Sequence, residues 1–373
     1  MRCDALVIGG GPAGAACAIR LARAGQRVVV LEKALFPRRK VCGELVAASG
    51  IRELEALGLG ERFAAQAGPP VRRIALWTSR ARLEARLPQR HGAARALERD
   101  ALDSLLLDEA RASGAQVLQP MRALALSRSR GLFRCRAGVQ RNAEALEIEA
   151  RAVIGAHGSW QPPGELLGFQ AHFRGAELPP QAIVLAPFPG GYAGLVERAQ
   201  GRATLACVVR REALARMRAG RLGAGESLEE FMKEGNRFVR AALAAARREG
   251  EWIAAGPLRP GRRPAYRDGV FAVGNAAGEA HPLVGEGIAM ALGSAALLCE
   301  RLSPLLRKDF SPEEERRVSR SYAIAWQRRF ALRLWTSARL AGLAMLPSAA
   351  DWAARLAEPA PRLLAIAARL SGK

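Results

Sequence analysis

The sequence predicts an α/β fold in which a parallel βαβ domain is interleaved with a second, mostly β domain and followed by helices. Three observations predict it. A strand, glycine turn, helix and strand open the chain, a second glycine-rich loop follows a strand about 260 residues later, and the last part has helical spacing. With 373 residues, 50% of them hydrophobic, the chain can bury a large core.

The N-terminal stretch DALVIGGGPAGAACAIRLARAGQRVVVLEK predicts a βαβ unit. Asp4–Ile8 is a short apolar run, and Gln26–Leu31 is rich in β-branched residues. Between them, Pro12–Ala24 has helical spacing that ends at Gly25. Two strands joined in this way by a helix are parallel neighbours in one sheet.

The turn of this unit carries a G-x-G-x-x-G pattern formed by Gly9, Gly11 and Gly14. The first glycine allows the tight turn, the second lets the backbone approach a pyrophosphate, and the third lets the helix pack against the strand. Glu32 ends the second strand, where a carboxylate accepts hydrogen bonds from an adenosine ribose and repels the 2′-phosphate of NADP. The unit therefore predicts an adenine dinucleotide site. Its expected contacts are Gly9, Gly11, Pro12, Ala13, Gly14, Glu32 and Lys33.

A second bare loop, FAVGNAAGEAHPLVGEGIAMAL from Phe271 to Leu292, follows a predicted strand. NAD needs no such loop, whereas FAD extends beyond its pyrophosphate and needs further backbone contacts. Asn275 can hydrogen-bond the ribityl chain or the pyrophosphate, and the helix that begins near Gly287 directs its N-terminal amides toward the ligand. We therefore predict FAD. Its expected contacts in this loop are Gly274, Asn275, Pro282, Gly285, Gly287 and Ile288.

These stretches together resemble the FAD-dependent superfamily of geranylgeranyl reductases, p-hydroxybenzoate-hydroxylase-type monooxygenases and flavin-dependent halogenases, over roughly residues 1–300. LERDALDSLLLDEARASGA is similar to the family's Arg-x-x-Leu-Asp helix, which implies that Arg99 lies beside FAD. RAVIGAHGSW looks like its Ala-Asp-Gly turn, which implies a contact from Gly158, and Ala123 is a further expected contact. His157 and Asn275 stand where the family usually has Asp. His157 is either a hydrogen-bonding turn residue or a group that titrates near the cofactor.

The resemblance implies a Rossmann-like FAD-binding domain of the glutathione-reductase type, interleaved with a mixed β-sheet substrate domain and followed by a helical C-terminal tail. The expected segments are residues 1–75, 92–162 and 262–302 for the FAD-binding domain, 76–91 and 163–261 for the substrate-binding domain, and 303–373 for the C-terminal helices. Within the substrate domain, one helix is expected at Ser227–Arg248.

The segment FPRRKVCGELV resembles the Lys-x-Cys-Gly-Gly segment of geranylgeranyl reductases, with Glu44 in place of the second glycine. The resemblance implies that Lys40 and Cys42 lie near the flavin. Cys42 is either a small packing residue or, if neighbouring basic residues stabilise its thiolate, a reactive thiol. The strand around Tyr192 lacks the reductases' Tyr-x-Trp-x-Phe-Pro motif, and the halogenases' Trp-x-Trp-x-Ile-Pro motif is also missing. The candidate catalytic residues are Cys42, Tyr192 and His281, and no metal site is predicted.

Charge and cysteine usage limit the partners. The 57 Lys and Arg residues against 35 Asp and Glu give a formal charge of +22. Such a field attracts anionic lipid headgroups or an acidic acyl-carrier protein, unless arginine is simply this chain's solvated residue. The arginines are not clustered with aromatic residues, so no nucleic acid is expected. Six unpaired cysteines, no signal peptide and no bilayer-length apolar run predict a cytoplasmic protein, either soluble or peripheral to a membrane.

The C-terminal part contains one apolar helical stripe with two interpretations. It either packs against the substrate domain or docks on a membrane surface or another source of hydrophobic substrate. The stripe consists of Trp326, Phe330, Leu334, Ala338, Ala341 and Met345.

The function predicted first is an FAD-dependent monooxygenase that hydroxylates an apolar, aromatic or polyketide-like metabolite of secondary metabolism with NAD(P)H, a transient reductant, and O2. The missing Tyr-x-Trp-x-Phe-Pro strand and Glu44 favour it over the first alternative, a geranylgeranyl-reductase-like enzyme that saturates an alkene. The second alternative is a flavin-binding accessory protein without turnover, suggested by the two Asp replacements.

Overall fold

The computed structural model describes residues 1–89, 92–139, 145–159, 164–217 and 222–346. Within these residues the strands are β1 (Arg2–Ile8), β2 (Val28–Leu31), β3 (Leu45–Val46), β4 (Arg73–Trp77), β5 (Arg82–Arg86), β6 (Arg95–Ala96), β7 (Gln116–Leu118), β8 (Arg122–Ser129), β9 (Leu132–Gly138), β10 (Leu146–Gly155), β11 (Leu166–Arg174), β12 (Ala182–Phe188), β13 (Gly191–Glu197), β14 (Arg202–Arg210), β15 (Arg247–Leu258), β16 (Gly261–Arg262), β17 (Tyr266–Arg267), β18 (Val270–Ala272) and β19 (Gly278–Glu279).

The helices over the same residues are α1 (Pro12–Arg23), α2 (Ala48–Ala56), α3 (Gly60–Gln66), α4 (Arg99–Ala112), α5 (Arg211–Met217), α6 (Ala224–Gly235), α7 (Arg237–Ala242), α8 (Gly287–Leu306) and α9 (Pro312–Ala344). Short 3₁₀ turns lie at Ala199–Gly201, Gly274–Ala276 and Pro282–Val284.

The first sheet has the order β17-β18-β10-β1-β2-β7, with β8 and β9 attached beside β10. Strands β18, β10, β1, β2 and β7 are parallel, and α1 makes the crossover from β1 to β2. All four residues of β2 are buried, as in a parallel sheet covered on both faces. The carboxyl ends of β1, β10 and β18 therefore meet at one edge, where ligands bind in such sheets.

The second sheet has the order β15-β11-β14-β13-β12-β4-β5 and is antiparallel except for the β12–β4 pair. Its side chains alternate between two faces. Val184, Ala193 and Leu205 face a core closed by α5, α6 and α7, while their neighbours Leu185 and Tyr192 face the first sheet. The predicted α/β architecture, with an interleaved mixed β-sheet and a C-terminal helix, is thus confirmed.

Helix α9 bridges the two sheets. Ser311 and Glu314 form a capping box that fixes its start. Trp326 and Phe330 are buried in the main core against α8, and Met345, just past the end of α9, packs against the second sheet. The predicted apolar stripe is therefore a core stripe, except that Ala338 is exposed.

Helix α8 lies at the centre of the core. By length and composition it is the one helix among the described residues that could cross a membrane, but 67% of its apolar window is buried inside the protein. It contacts α1, α2 and α9, so its apolar character is explained by packing on three sides.

The single helix expected at Ser227–Arg248 is wrong. The chain forms α6 and α7 instead, separated at Asn236, and strand β15 begins at Arg247. Asn236 has an extended backbone, and its side chain accepts hydrogen bonds from Phe238 N at 3.0 Å and Val239 N at 3.2 Å. This N-cap starts a new helix, which helical spacing alone does not reveal.

We expect Asn236→Ala to lower the free energy of unfolding by about 2 kcal/mol, because it removes the cap of α7 and a buried hydrogen bond from Nδ2 to the Trp77 carbonyl at 2.8 Å. Asn236→Ser keeps a cap acceptor and loses only the hydrogen bond to Trp77, so it should be destabilised less. Urea unfolding followed by circular dichroism measures both. An unfolding midpoint of Asn236→Ala equal to that of the parent protein would contradict this account.

Candidate functional site

A cavity of about 1210 Å³ lies between the carboxyl edge of the first sheet and the inner face of the second. All residues expected to contact the cofactor line it except Gly14, which lies behind its wall. The lining residues from that prediction are Gly9, Gly11, Pro12, Ala13, Glu32, Lys33, Lys40, Cys42, Arg99, Ala123, Gly158, Gly274, Asn275, Pro282, Gly285, Gly287 and Ile288. Of the candidate catalytic residues, Cys42 and Tyr192 also line it, and His281 lies behind Tyr192.

The three glycines of the first turn have distinct steric roles. Gly9 has a φ of +114°, and an added Cβ would lie 2.4 Å from the Ala156 carbonyl oxygen. An added Cβ at Gly14 would lie 1.9 Å from the Gly9 carbonyl oxygen, so this glycine is required by the packing of α1 on β1. At Gly11 the same atom would meet only Arg38 Nη2, at 3.9 Å. Gly11 is therefore bare toward the cavity, where a ligand would approach the backbone.

Glu32 is fixed at the end of β2. Its side chain is 4% exposed, and its carboxylate accepts hydrogen bonds from Gly10 N at 2.8 Å and Ala34 N at 2.9 Å. Because each carboxylate oxygen can accept more than one hydrogen bond, Glu32 retains acceptor capacity toward the cavity. This geometry fits the ribose contact expected of it.

The second loop closes on the first at Gly274. Gly274 has a φ of +60°, and an added Cβ would lie 2.9 Å from Ala13 Cβ. Its amide donates to Ser294 Oγ at 2.8 Å, which attaches the loop to α8. Asn275 follows and donates from Nδ2 to Ser159 Oγ at 3.1 Å. The Asn275 side chain thus links this loop to the turn after β10 by donating a hydrogen bond. An aspartate at 275 could only accept, so the Ser159 hydroxyl would then have to be the donor.

The start of α8 faces the cavity through Gly285 and Gly287. Gly285 has a φ of +63°, and an added Cβ would lie 3.0 Å from Leu45 Cδ2. Glu286 between them is 1% exposed and accepts from Arg333 Nη1 of α9 at 3.0 Å. The N-terminal amides of α8 are therefore presented to the cavity by a loop that α9 holds in place.

Basic side chains surround the cavity beside the first turn. Arg99 is 7% exposed and forms a two-pronged ion pair with Asp103, at 2.8 and 2.7 Å. Burial opposes the charge of Arg99, but Asp103 outweighs it, so the pKa of Arg99 is raised. Lys40 is open to the cavity but surrounded by protein, and burial together with Arg99 and Arg38 lowers its pKa to about 8. Such a cluster fits an anionic ligand, which would supply the missing negative charge.

Glu44 is the centre of a buried polar network that the sequence did not predict. Its carboxylate accepts from Thr204 Oγ1 at 2.5 Å and Gln170 Nε2 at 2.8 Å, and lies 3.2 Å from His172 Nε2. Burial raises the pKa of Glu44, but these hydrogen bonds and nearby Arg198 lower it more, so the pKa lies below its usual value. Its partners lie on β11 and β14, more than a hundred residues away along the chain. The one signal in the sequence that pointed to a polar network here is the glutamate in a position where the resembled segment has glycine.

Cys42 is held by the same network. Its backbone amide donates to Gln170 Oε1 at 3.1 Å, and its Sγ accepts from Glu44 N at 3.3 Å. Arg99 lies beside the sulfur. Cys42 is half-buried at the cavity wall, which fits both interpretations given for it, a packing residue or a thiol near basic groups.

The other end of the cavity is apolar and contains the pair Tyr192 and His281. Tyr192 OH and His281 Nδ1 are hydrogen-bonded at 2.8 Å, and both side chains are buried. The backbone of Leu283 lies beside the Tyr192 hydroxyl and opposes the effect of burial on its pKa. Burial raises the pKa of Tyr192 well above its ordinary value and lowers the pKa of His281 to about 4. Both groups are therefore neutral at physiological pH.

His157 lies on the turn after β10, exposed toward the cavity. Burial on one side and the charge of Arg263 lower its pKa from the ordinary value. It is therefore neutral at physiological pH.

The residues present fit FAD. Two glycine loops leave backbone bare on facing walls, Glu32 and Asn275 provide polar contacts, and a basic cluster meets the expected pyrophosphate. When bound, FAD supplies two-electron redox chemistry between the polar and apolar ends of the cavity.

We expect Gly11→Val to fold but to lose FAD, because its side chain would point into open cavity where the pyrophosphate should lie. Gly14→Val places the same side chain against the Gly9 carbonyl and should instead unfold the domain. Gly235→Val, at an open position far from the cavity, is the control. Flavin absorbance and thermal unfolding are measured together. A Gly11→Val protein with a full complement of FAD would refute the assignment.

Asn275→Ala should weaken FAD retention by about 1–3 kcal/mol, because a polar contact to the cofactor is lost. Asn275→Asp should keep FAD and lower the flavin reduction potential, because added negative charge disfavours the electron-rich reduced ring. Ser159→Ala, which removes the protein partner of Asn275, separates loss of the turn from loss of the cofactor contact. Equilibrium dialysis and a potentiometric titration supply the readouts, and equal potentials for Asn275→Asp and the parent would exclude the electrostatic effect.

Known proteins similar to this chain include several reductases. A digeranylgeranylglycerophospholipid reductase of Methanothrix thermoacetophila is 27% identical over 334 residues, covering 80% of this chain and 77% of that protein. A menaquinone reductase of Mycobacterium tuberculosis is 31% identical over 169 residues, covering 45% of this chain and 41% of that protein. Conditioned medium factor receptor 1 of Dictyostelium discoideum is 28% identical, covering 88% of this chain and 68% of that protein.

Solved structures with the same fold include flavin-dependent enzymes. The flavin-dependent brominase Bmp2 superposes with a TM-score of 0.80 at 17% identity, covering 100% of this chain and 94% of its own. PqsL of Pseudomonas aeruginosa, in complex with 2-aminobenzoylacetate, superposes with a TM-score of 0.74 at 22% identity, covering 94% and 98%. At these identities the likeness establishes the fold.

The family comparison agrees with the geometry of the cavity. The FAD binding domain family matches residues 2–313, which include both glycine loops, the Arg99 helix and the strands between them. The predicted superfamily and the prediction of FAD are thereby confirmed at this level. The chain belongs to the FAD binding domain family of FAD-dependent oxidoreductases.

Proposed function

We propose that this protein is an FAD-dependent reductase that saturates a carbon–carbon double bond in an elongated apolar substrate, with NAD(P)H as the source of electrons. One observation carries the proposal: a proton donor, Tyr192, is held by His281 at the apolar end of the FAD cavity. Saturating a carbon–carbon double bond requires one hydride, which the cofactor supplies, and one proton, which a side chain has to donate.

The hydrogen bond at Tyr192 suits it to donate that proton. Its oxygen accepts a hydrogen bond from His281 when Nδ1 carries the proton. Its own O–H then points away from His281, and the accepted hydrogen bond partly offsets the cost that burial imposes on the phenolate left after transfer. His281 stays neutral because its pKa is about 4, so it positions Tyr192 without adding a charge.

The shape of the apolar end supports a long hydrocarbon substrate. Leu185, Val208 and Leu258 line it together with Leu283, and they pack with Tyr192 in one apolar cluster. An alkyl or polyprenyl chain gains about 0.8 kcal/mol per buried CH₂ group in such surroundings. A small polar substrate would leave most of these apolar side chains without a contact.

The replacement of glycine by Glu44, which favoured hydroxylation in the sequence, does not favour it in the structure. Glu44 has a φ of +59°, so it keeps the left-handed backbone that a glycine at this position would adopt. Its carboxylate is fully engaged beneath the loop by Thr204 and Gln170. The replacement is therefore compatible with a glycine-like backbone and adds an anchor. Of the two departures from the reductase pattern, only the missing Tyr-x-Trp-x-Phe-Pro motif still favours hydroxylation.

The similar reductases add weight. The digeranylgeranylglycerophospholipid reductase match extends over four fifths of this chain, and the name of that protein describes reduction of a polyprenyl lipid. The menaquinone reductase match covers less than half of either chain, so it supports the FAD-binding part only.

Hydroxylation of an apolar aromatic or polyketide-like metabolite with NAD(P)H and O2 is the second candidate. The observation in its favour is the missing reductase motif around Tyr192, together with a fold that superposes on PqsL. The same Tyr192–His281 pair would then hydrogen-bond a phenolic or carbonyl oxygen of the substrate. A flavin-binding accessory role without turnover requires that the protein oxidise no NAD(P)H with any substrate present.

Product mass separates these functions. The purified protein with FAD and NAD(P)H is incubated without oxygen with a polyprenyl quinone and with a geranylgeranyl lipid, and separately in ¹⁸O₂. A product heavier by two hydrogens, formed without oxygen, is expected. A product that gains one ¹⁸O atom would instead make this protein a hydroxylase, and the absence of NAD(P)H oxidation would leave only the accessory role.

We expect Tyr192→Phe to slow product formation about 100-fold while reduction of bound FAD by NAD(P)H keeps its rate, because only proton delivery is lost. His281→Gln should have a smaller effect in the same direction. Tyr266→Phe is the matched control, since Tyr266 bonds Glu315 far from the cavity. Stopped-flow flavin reduction and single-turnover product analysis supply the two rates. Equal turnover in Tyr192→Phe and the parent would remove Tyr192 from the reaction.

A further inference from the structure

The solvent side of α9 and the residues just beyond it form a surface that neither the cavity nor the core explains. We call this surface the outer face of α9. Its members recur every three or four residues and lie opposite the buried stripe of the same helix. The outer face comprises Arg317, Ser321, Ile324, Arg328, Leu332, Trp335, Arg339, Leu343 and Leu346.

Large apolar side chains are exposed along this face. Leu332 is 64% exposed, Trp335 59%, Leu343 55% and Leu346 52%, which places all four outside the core. Leu332 and Leu346 are fourteen positions apart, so at 1.5 Å per helical residue the apolar stripe is about 21 Å long. Single exposed leucines are ordinary on a protein surface, but a continuous helical stripe of them indicates a contact surface.

The charge on this part of the chain has one sign. Residues 316–346 contain seven arginines and no aspartate or glutamate. Arg329 and Arg333 turn inward to Glu53 and Glu286, whereas Arg328 and Arg339 are exposed on the outer face. The Arg339 guanidinium lies 5.3 Å from the centre of the Trp335 ring. Arginine interleaved with Leu and Trp is the composition of helices that lie in a membrane interface.

The outer face lies directly above the apolar end of the cavity. On the inner side of the same helical turns, Ala341 and Met345 pack against Tyr192 and Leu283. The Met345 carbonyl also accepts from Gly190 N at 3.2 Å, next to β13. One helix therefore separates the exposed apolar stripe from the wall of the proposed substrate chamber.

We propose that the outer face of α9 is a docking surface for an anionic phospholipid bilayer, with the helix lying parallel to the membrane plane. Leu332, Trp335 and Leu343 would enter the boundary between headgroups and acyl chains, and Arg328 and Arg339 would meet the lipid phosphates. A bilayer fits this face better than a protein partner because the stripe is narrow, straight and bordered by charge of one sign. Docking would bring the apolar end of the FAD cavity to the lipid surface.

The test is sedimentation of the full-length, FAD-loaded protein with vesicles of phosphatidylcholine, alone or mixed with phosphatidylglycerol, at low and high salt. We expect binding to the anionic vesicles that weakens at high salt and little binding to the neutral ones. Equal recovery in the supernatant with both kinds of vesicle at low salt would overturn the proposal. Vesicle binding needs no turnover, so failure here leaves the proposed reductase function untouched, and failure of that function leaves docking testable.

Matched variants locate the surface. Leu332→Ser with Leu343→Ser should lower the vesicle affinity at least about tenfold, because two apolar anchors are lost. Arg328→Gln with Arg339→Gln should lower it about twentyfold at low salt and much less at high salt. The controls are Leu126→Ser and the pair Arg136→Gln with Arg247→Gln, which change exposed residues of the same types elsewhere. Equal losses in the control and outer-face variants would reduce the effect to overall charge and contradict the docking surface.

Trp335 gives a direct readout. Brominated lipids should quench part of the tryptophan fluorescence of the parent protein, and Trp335→Phe should remove that quenched part while binding largely persists. If vesicles quench the parent and Trp335→Phe equally, another surface contacts the lipid. If the parent is a dimer that Trp335→Ser or Leu343→Ser converts to monomer, a second copy covers this face. Either result overturns the proposal.

Discussion

The close approach of two loops from opposite ends of the chain is the constraint on which the rest of the structure depends. The turn after β1 and the turn after β18 meet at Ala13 and Gly274, where an added Cβ at Gly274 would lie 2.9 Å from Ala13 Cβ. This contact requires β1, β10 and β18 to be neighbours, so the segment that forms the second sheet has to leave the first sheet and return to it. The interleaved order of the two domains follows from closing one binding site with distant segments.

The second sheet is attached to this site by polar contacts. Glu44 belongs to the loop beside the cavity, yet its partners Gln170, His172 and Thr204 all lie on the second sheet. Breaking such a buried network by removing one partner leaves uncompensated charge, which is costly in a low-dielectric interior. The network therefore fixes the distance between the loop that carries Cys42 and the second sheet, and with it the position of Cys42 at the cavity wall.

The sequence was sufficient for those features that are local. The bounds of α1, the roles of Gly9 and Gly14 and the buried stripe of α9 depend on spacing within a few turns, and the structure reproduces them. The partners of Glu44 could not be predicted, because hydrogen bonding between residues so far apart leaves no pattern in one sequence. The break at Asn236 was missed for a different reason. The apolar period continues across it, and only the cap reveals that the helix restarts.

The exposed apolar stripe on the outer face of α9 was also not predicted, for a physical reason. A helix that packs on both sheets needs one buried stripe, and the stripe that includes Trp326 and Phe330 already accounts for the apolar period of this segment. Leu332 and Trp335 form a second stripe with the same period, displaced around the helix, so both faces together make the helix look only weakly amphipathic. A surface helix that contacts nothing on its solvent side would have charged or polar residues at these positions. Because Glu286 and Arg333 lock the inner side of α9 to the loop at the start of α8, any contact on its outer side acts on an element that packs directly behind the wall of the cavity.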